Sequence, residues 1–232
     1  MIRGILTDFG GTVDTDGIHW FRMFREAYSR CGNNLPEDML RMAYVHAERT
    51  LGRNHVIEPS FTFGRTLETK IALQTGFLLS EGVHVTGADA ICDFCMDKVR
   101  NNVATVSSPV LESLSERYPI VLVTNFYGNM NRVLDELGIA RFFKGVVESS
   151  VVGVRKPDSR IFGMGCDVLG LHPCDVLMVG DSPDKDIVPA ASAGCRTCLL
   201  DRGLSFEGAP ASDFRADCTI HTFADLPLVP FL

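Results

Sequence analysis

The spacing of hydrophobic residues divides this 232-residue chain into three stretches. Residues 2–8 form a short apolar run of the kind seen in buried strands. From residue 18 to about 106, apolar residues recur every three or four positions, which predicts helices in HWFRMFREAYSR, PEDMLRMAYVHAERTL, TFGRTLETKIALQTGFLL and ADAICDFCMDKVRNNVATV. After residue 107, strand-like and helix-like segments alternate in the order PIVLVTN, MNRVLDELG, KGVVESS, SRIFGMGCDVLG, DVLMVGD, DIVPAASAG and CRTCLLD.

Alternation of short apolar strands with helices is typical of a parallel sheet that is covered by helices on both faces. The long helical stretch interrupts this pattern directly after the first strand. We therefore predict an α/β fold with a Rossmann-like parallel-sheet core, formed by residues 1–15 and 106–232. An inserted all-helical cap domain would occupy residues 16–105.

Composition and charge narrow the class of protein. With 46% hydrophobic and 22% charged residues, the chain has the composition of a soluble globular protein. The net charge of −7 argues against a nucleic-acid partner or a membrane surface, because both favour a basic face. No apolar run approaches the length of a bilayer span, and the first residues do not resemble a secretory signal. We expect a cytoplasmic protein, as a monomer or a homodimer.

The eight cysteines include two pairs with C-x-x-C spacing, at 92–95 and 195–198. The first pair lies in a predicted helix. The second lies in a predicted strand, where alternation directs the two thiols to opposite faces of the sheet. Structural zinc sites usually place such pairs on turns. We therefore expect reduced, buried thiols at these positions.

Polar side chains follow the predicted strands, where a ligand binds in an open parallel sheet. They are Asp8, Thr124, Asn125, Lys156, Asp181 and Asp186. Carboxylates flanked by glycines suit a hard cation such as Mg²⁺, and a lysine with a threonine suits a phosphoryl group. A carboxylate beside a cation and a lysine is a plausible nucleophile toward phosphorus.

Each of these residues alone also has a structural explanation. Thr124, Asn125 and Asp186 could cap the helices that follow them, and Lys156 could lie in a solvated loop. Asp8 is harder to explain in this way, because a charge directly after a buried strand is costly unless it is paired. The coincidence of all of them at one sheet edge favours a functional site.

Four motifs in these positions carry a family resemblance. DFGGT at 8–12, VLVTN at 121–125, GVRKPD at 153–158 and VGDSPDKD at 179–186 occur in order and span essentially the whole chain. The chain resembles the haloacid dehalogenase superfamily of hydrolases, in its phosphatase-like branch with a helical cap inserted after the first motif.

The resemblance implies a Mg²⁺ site and a phosphoryl site. Asp8, the carbonyl of Gly10, Asp181 and Asp186 would hold the ion, and Asp186 would alternatively orient the lysine or a metal-bound water. In catalysis Asp8 would be the nucleophile, while Thr124 and Lys156 hold the phosphoryl oxygens. The remaining expected substrate contacts in these motifs are Thr12 and Asn125.

Gly10 is the main departure from the family pattern. Phosphatases of this family carry a second aspartate two residues after the nucleophile, which protonates the leaving group and later deprotonates the attacking water. Glycine keeps the metal-binding carbonyl but lacks this acid–base group, whose contribution is typically ~10²–10⁴-fold. Asp14 or Asp16 in the following loop is a candidate substitute.

Four functions compete, in decreasing order of support. The first is a Mg²⁺-dependent phosphohydrolase that acts through an aspartyl-phosphate on a small phosphorylated metabolite whose leaving group needs little protonation. The second is a weak or inactive relative that binds a phosphorylated ligand or a protein partner. The third is a phosphonatase, whose Schiff-base lysine would have to be Lys70 or Lys98. The fourth is a dehalogenase, although those enzymes work without the metal that GDSPDKD indicates.

The cap is expected to select the substrate. Arg49, Arg53 and His55 surround a glycine-containing turn, and we predict that they contact a second anionic group of the substrate.

Overall fold

The fold is built on one parallel sheet. The computed structural model describes residues 1–203 and 215–232. Its strands are β1 (Gly4–Thr7), β2 (Ile120–Thr124), β3 (Gly145–Glu148), β4 (Val176–Gly180), β5 (Arg196–Leu200) and β6 (Cys218–Ile220). In the described residues they form a six-stranded sheet in the order β3–β2–β1–β4–β5–β6, and every neighbouring pair is parallel. The predicted α/β class is confirmed, with β1 at the centre.

The α-helices of the described residues lie between β1 and β5 in the chain. In chain order they are α1 (Trp20–Arg30), α2 (Glu37–Arg53), α3 (Phe63–Ser80), α4 (Ala88–Asn102), α5 (Ser108–Ser115), α6 (Met130–Glu136), α7 (Ser149–Val152), α8 (Arg160–Leu169) and α9 (Val188–Ser192). None of the helices in the described ranges has both the length and the apolar character that crossing a membrane requires.

Alternate strand residues supply the two hydrophobic cores on either side of the sheet. Leu6, Val121 and Met178 pack in a cluster with α8, whereas Ile5 and Leu177 belong to the larger cluster on the other side. Because successive side chains of a strand point to opposite faces, a strand covered on both sides is apolar throughout. This explains the uninterrupted burial of β1, β2 and β4.

Four helices, α1 to α4, lie between β1 and α5, and we call residues 20–102 the helical segment. The predicted helices are confirmed, and no strand occurs between residues 16 and 105, all of which are described. The side chains of His19 and Thr62 cap α1 and α3 by accepting hydrogen bonds from backbone N–H groups. Within the segment, α2 packs on α3, α3 on α4 and α1 on α4. The limits of a separate cap domain stay a prediction.

Three short elements were not predicted from the sequence. Helix α5 begins with a proline in its first turn and has only eight residues, so its apolar spacing is too brief to distinguish from strand alternation. Helix α7 has four residues and β6 has three. Elements of this length are determined by their neighbours in the fold rather than by local periodicity.

Candidate active site

Three central strands end at the same edge of the sheet, each with a polar residue. Asp8 follows β1, Thr124 is the last residue of β2, and Asp181 follows β4. Since β1 pairs in parallel with both β2 and β4, their carboxyl ends are adjacent. The three residues line one cavity of about 180 Å³ between this edge and the helical segment. The structure thus brings together residues that are more than 50 positions apart in sequence.

Lys156 is the centre of a buried ion-pair network. Its Nζ lies 2.6 Å from Asp8 Oδ1 and 2.6 Å from Asp186 Oδ1. Burial by itself would lower the pKa of this lysine, but the charges of Asp186 and Asp8 raise the pKa above its ordinary value. Lys156 is therefore held as a cation between two carboxylates.

Asn125 positions the backbone of Lys156. Its Nδ2 donates to the Lys156 carbonyl (3.1 Å), and the Lys156 N–H donates to its Oδ1 (3.0 Å). These two bonds join the loop after β2 to the loop that carries the lysine. Asn125 also lines the cavity. A contact between Asn125 and the substrate, in addition to this positioning role, therefore stays a prediction.

Asp8, Asp181 and Asp186 form a compact acidic cluster, in which one carboxylate oxygen of each lies within 4.8 Å of the others. Thr12 Oγ1 donates to Asp181 Oδ1 at 3.3 Å. Thr12 thus contacts the cluster itself. Asp186 Oδ2 accepts a hydrogen bond from the Ser182 N–H at 3.1 Å, while its Oδ1 faces the lysine. With both oxygens engaged by protein donors, Asp186 is placed to orient Lys156 more than to coordinate an ion directly.

This cluster has the chemistry of a site for a hard divalent cation. Its donors are oxygens, the ligands that Mg²⁺ prefers. Burial and the neighbouring Asp186 and Asp8 raise the pKa of Asp181 well above its ordinary value, and burial raises the pKa of Asp8 to about 6. A bound cation would relieve this repulsion. The backbone also leaves room for the carboxylates, since a Cβ on Gly180 would lie 2.5 Å from Asp186 Cγ.

The loop after Asp8 contains two glycines with different requirements. Gly11 has a φ of 98°, and a Cβ there would clash with the Asp181 carboxylate, so this position needs glycine. Gly10, which lines the cavity, has φ −76° and ψ 109°, a conformation open to any residue. The absence of an acid at position 10 is therefore not imposed by the backbone.

The two aspartates proposed as substitutes for the missing acid are engaged elsewhere. Burial raises the pKa of Asp14 to about 7, but its oxygens accept hydrogen bonds from the Gly11 N–H and from Trp20 Nε1, both at 2.7 Å. Asp16 accepts a hydrogen bond from the Phe223 N–H at 2.6 Å. Neither residue lines the cavity. Both aspartates shape the loop, and their positions give no support to the hypothesis that one of them substitutes for the acid.

The cavity also has a polar wall, formed by Glu48, Lys70 and Tyr127, that the sequence analysis missed. Lys70 Nζ lies 2.6 Å from Glu48 Oε1, and Tyr127 OH donates to Glu48 Oε2 at 2.7 Å. The lysine also lies 5.8 Å from the ring centre of Trp20 and 5.2 Å from that of Tyr127. The sequence contained one signal of this wall, a charged residue within the apolar stripe of each of two helices. Glu48 lies among the buried residues of α2, and Lys70 lies among those of α3.

Lys70 does not have the properties of a Schiff-base lysine. Burial would lower its pKa, but Glu48 beside it raises the pKa above the ordinary value. An amine that attacks a carbonyl must be unprotonated, whereas this one is held as an ammonium. Lys98 is exposed and lies outside the cavity lining. The structure therefore offers no support for the phosphonatase alternative.

The structure does not bring Arg49, Arg53 or His55 to the cavity. All three are exposed, and none of them lines it. Helix α2 turns Tyr44 and Glu48, four residues apart, toward the cavity. The residue after Glu48 therefore points about 100° away, because an α-helix has 3.6 residues per turn. The structure corrects the prediction that these three residues contact an anionic group of the substrate in the cavity. Among the described residues, the arginine that lines the cavity is Arg155.

The cysteines are unpaired thiols. Cys195 packs in the cluster on the α8 side of the sheet, where its Sγ lies 3.8 Å from Cys166 Sγ, and Cys198 packs in the cluster on the other side. The expectation that the 195–198 pair points to opposite faces is confirmed. Cys92 and Cys95 are buried in α4, as expected for residues of a hydrophobic core.

Known proteins are similar to this chain in sequence and in fold. The family model of haloacid dehalogenase-like hydrolases matches residues 2–194. This chain belongs to that family. Among solved structures, a dehalogenase determined with an intermediate complex superposes with a TM-score of 0.67 and 17% identity, covering 98% of this chain and 96% of that one. At this identity the likeness shows the fold alone.

Two curated relatives match over shorter stretches. The phosphoserine phosphatase of Thermus thermophilus is 40% identical over 94 residues, which are 40% of this chain and 38% of that enzyme. The phosphoglycolate phosphatase of Yersinia pseudotuberculosis is 34% identical over 125 residues, 52% of each chain. The chain thus spans about half, or less, of the length of these relatives.

Proposed function

We propose that this protein is a Mg²⁺-dependent phosphohydrolase that acts through an aspartyl-phosphate on a small phosphorylated metabolite. The observation that carries the proposal is Lys156, buried between Asp8 and Asp186 and beside Asp181 at the edge of the sheet. This combination presents a carboxylate nucleophile next to a fixed ammonium and a cation site. The phosphatase names of the partly matching relatives support the same reaction class.

In the first step, an oxygen of Asp8 attacks the substrate phosphorus, and the bond between phosphorus and the leaving oxygen breaks. Lys156 and Thr124 hold the phosphoryl oxygens, and the ammonium offsets the charge that develops on them. When bound to Asp8, the Gly10 carbonyl and Asp181, Mg²⁺ supplies further positive charge to the phosphoryl group.

In the second step, the oxygen of a water molecule attacks the phosphorus of the aspartyl-phosphate, and the bond between phosphorus and the Asp8 oxygen breaks. Asp8 is regenerated as a carboxylate, and inorganic phosphate leaves with the protons of the water. Gly10 has no side chain that could donate a proton to the leaving oxygen or accept one from this water. The reaction therefore favours leaving groups that depart without a proton, such as those of acyl phosphates and anomeric sugar phosphates.

The helical segment serves in this proposal as a cap over the site, within a cap domain of residues 16–105. In support, the side chain of Asn129 in the β2–α6 loop donates hydrogen bonds to the Phe61 carbonyl (2.9 Å) and to Thr66 Oγ1 (2.8 Å), and both acceptors belong to the helical segment. The Glu48–Tyr127 hydrogen bond makes a similar connection. A cytoplasmic location, and a monomer or homodimer, complete the proposal.

A second candidate function is binding without efficient turnover. It is favoured by Gly10, because the site keeps the nucleophile and the acidic cluster but lacks the acid–base group. Such a protein would bind a phosphorylated ligand, or a protein partner, and release it unchanged.

A screen for released phosphate tests the two candidates. Acetyl phosphate, glucose 1-phosphate and a series of alkyl phosphates would be incubated with and without Mg²⁺, with Asp8→Asn protein as the control. We expect Mg²⁺-dependent turnover that is fastest for acetyl phosphate and absent in Asp8→Asn. Saturable binding with no turnover of any compound would favour the second function. If the protein neither turns over nor binds any of the compounds, both candidate functions are contradicted.

A further inference from the structure

Arg155 is a cationic side chain of the cavity that forms no ion pair with a described residue. It lines the cavity, is exposed, and forms no ion pair within residues 1–203 and 215–232. The adjacent Lys156 contrasts with it, since that lysine is buried between two carboxylates. Among the described residues, no carboxylate therefore competes through an ion pair with a group that approaches Arg155 in the cavity.

Glu48, the acidic side chain of the polar wall, has a partner at each carboxylate oxygen. Glu48 Oε1 faces the Lys70 ammonium at 2.6 Å, and Oε2 accepts the Tyr127 hydroxyl at 2.7 Å. The Arg155 charge also lowers the pKa of Glu48, but less than Lys70 and the hydrogen bond from Tyr127 do, so Lys70 is the main counter-charge of Glu48. Together Lys70, Glu48 and Arg155 leave this part of the cavity with one excess positive charge, which is complementary to an anion.

The guanidinium lies at the junction of the lysine loop and α2. A Cβ built on Gly52 of α2 would stand 3.7 Å from Arg155 Nη1, an ordinary contact distance. A ligand whose phosphoryl group is held by Lys156, and whose remainder extends toward α2, would meet this guanidinium. Its planar array of donors matches a carboxylate in a two-point geometry.

We propose that Arg155 binds a carboxylate on the leaving-group side of the substrate, so that the ligands of this site are small phosphorylated carboxylic acids. This inference rests on the proposed function for the position of the phosphoryl group, but it concerns binding rather than turnover. Arg155 is in this view a specificity-determining residue.

The test compares two ligands that differ only in the charge of one group, 2-phosphoglycolate and its carboxamide. Their affinities would be measured by calorimetry with Asp8→Asn protein in the presence of Mg²⁺, so that no turnover occurs. We expect the acid to bind about 10- to 100-fold more tightly than the amide, the range for a hydrogen-bonded pair with charged groups. In Arg155→Met protein the preference should fall to less than about threefold, with the affinity for the amide unchanged.

Arg160→Met is the matched control, because Arg160 is exposed, pairs with Asp158 and does not line the cavity. It should retain the full preference for the acid. An independent variant leaves Arg155 intact: Gly52→Asp places a carboxylate beside the guanidinium and should lower the preference, whereas the uncharged Gly52→Asn should not.

Three results would overturn the inference. They are equal affinity of the parent protein for acid and amide, an unchanged preference in Arg155→Met, and an equal loss of affinity for both ligands in that variant. The last would mean that Arg155 holds the phosphoryl group instead. A protein that binds neither ligand would overturn it as well. Failure of the proposed function is recognised separately, by the absence of Mg²⁺-dependent phosphate release in the substrate screen.

Discussion

Trp20 lies beside Gly10 at the cavity surface. A Cβ built on Gly10 would stand 3.9 Å from both Cδ1 and Nε1 of the indole. The ring is fixed in this position, because its Nε1 donates to the buried Asp14 carboxylate at 2.7 Å. Where an acid could stand next to the nucleophile, this protein has an aromatic wall and space for a small side chain. The missing acid can therefore be introduced experimentally.

Gly10→Asp should raise the hydrolysis of alkyl phosphates. The backbone at position 10 accepts any residue, and a Cβ there makes ordinary contacts, so the variant should fold and bind Mg²⁺. The new acid would protonate the leaving oxygen, and the gain could reach about 10²–10⁴-fold for alkyl esters, with a smaller gain for acetyl phosphate. The measurement is kcat for phosphate release from both compounds.

Gly10→Asn is the matched control for size, and it should show no gain because an amide cannot act as the acid. Adding Asp8→Asn to Gly10→Asp should remove the activity, since the amide cannot form the aspartyl-phosphate. A folded, Mg²⁺-binding Gly10→Asp protein with no gain on any ester would contradict the missing-acid explanation and favour the binding function.

Asp181→Ala should abolish the binding of Mg²⁺. Asp181 belongs to the acidic cluster and no basic side chain is paired with it in the described residues, so it is the carboxylate most available to a cation. Titration calorimetry should show binding to the parent protein and none to the variant. Asp97→Ala, an exposed position of α4, should bind as the parent does. Unchanged affinity in Asp181→Ala would place the ion elsewhere.

Lys156→Met should destabilise the protein strongly. Removing the ammonium leaves Asp8 and Asp186 buried without their counter-charge, and breaking a buried pair in this way costs about 3–5 kcal/mol of unfolding free energy. Urea denaturation measures the loss. Adding Asp186→Asn should restore part of the stability, because it removes one of the unpaired charges. Lys98→Met, at an exposed site, should change the unfolding free energy by less than about 0.5 kcal/mol.

The Glu48–Lys70 pair should give a defined pH dependence of stability. Burial would raise the pKa of Glu48, but Lys70 and the hydrogen bonds to Glu48 lower it below the ordinary value of 4.5. The pKa of Lys70 is raised above 10.5, because Glu48 outweighs its burial. A carboxyl group whose pKa is lowered on folding stabilises the protein above its unfolded pKa and loses this contribution as the pH falls.

Glu48→Gln should therefore be less stable than the parent protein by a constant amount between about pH 5 and 10, with a difference that shrinks below about pH 4.5. Urea denaturation of both proteins from pH 3.5 to 8 measures this difference. Glu26→Gln, which changes an exposed pair, is the control. A difference that does not vary with pH would show that Glu48 is uncharged in the folded protein.

The sequence by itself was sufficient for β1 to β5 of the sheet and for the residues at its edge. Short apolar runs alternating with helical spacing define a parallel sheet, and the carboxyl ends of parallel strands meet at one edge. For that reason Asp8, Thr124 and Asp181 could be placed together without coordinates. Each of them is adjacent in sequence to the strand that positions it, so local pattern and tertiary position coincide.

Only the tertiary structure determined which residues form the polar wall of the cavity. Glu48, Lys70 and Tyr127 come from two helices and a loop, and Trp20 and Arg155 from two further segments. Helical periodicity shows which face of a helix is apolar, but not the angle at which that helix crosses its neighbours. The angle follows from side-chain packing between distant segments. This explains why Arg49 and its neighbours were assigned to the cavity, although the face of α2 that reaches it carries Glu48.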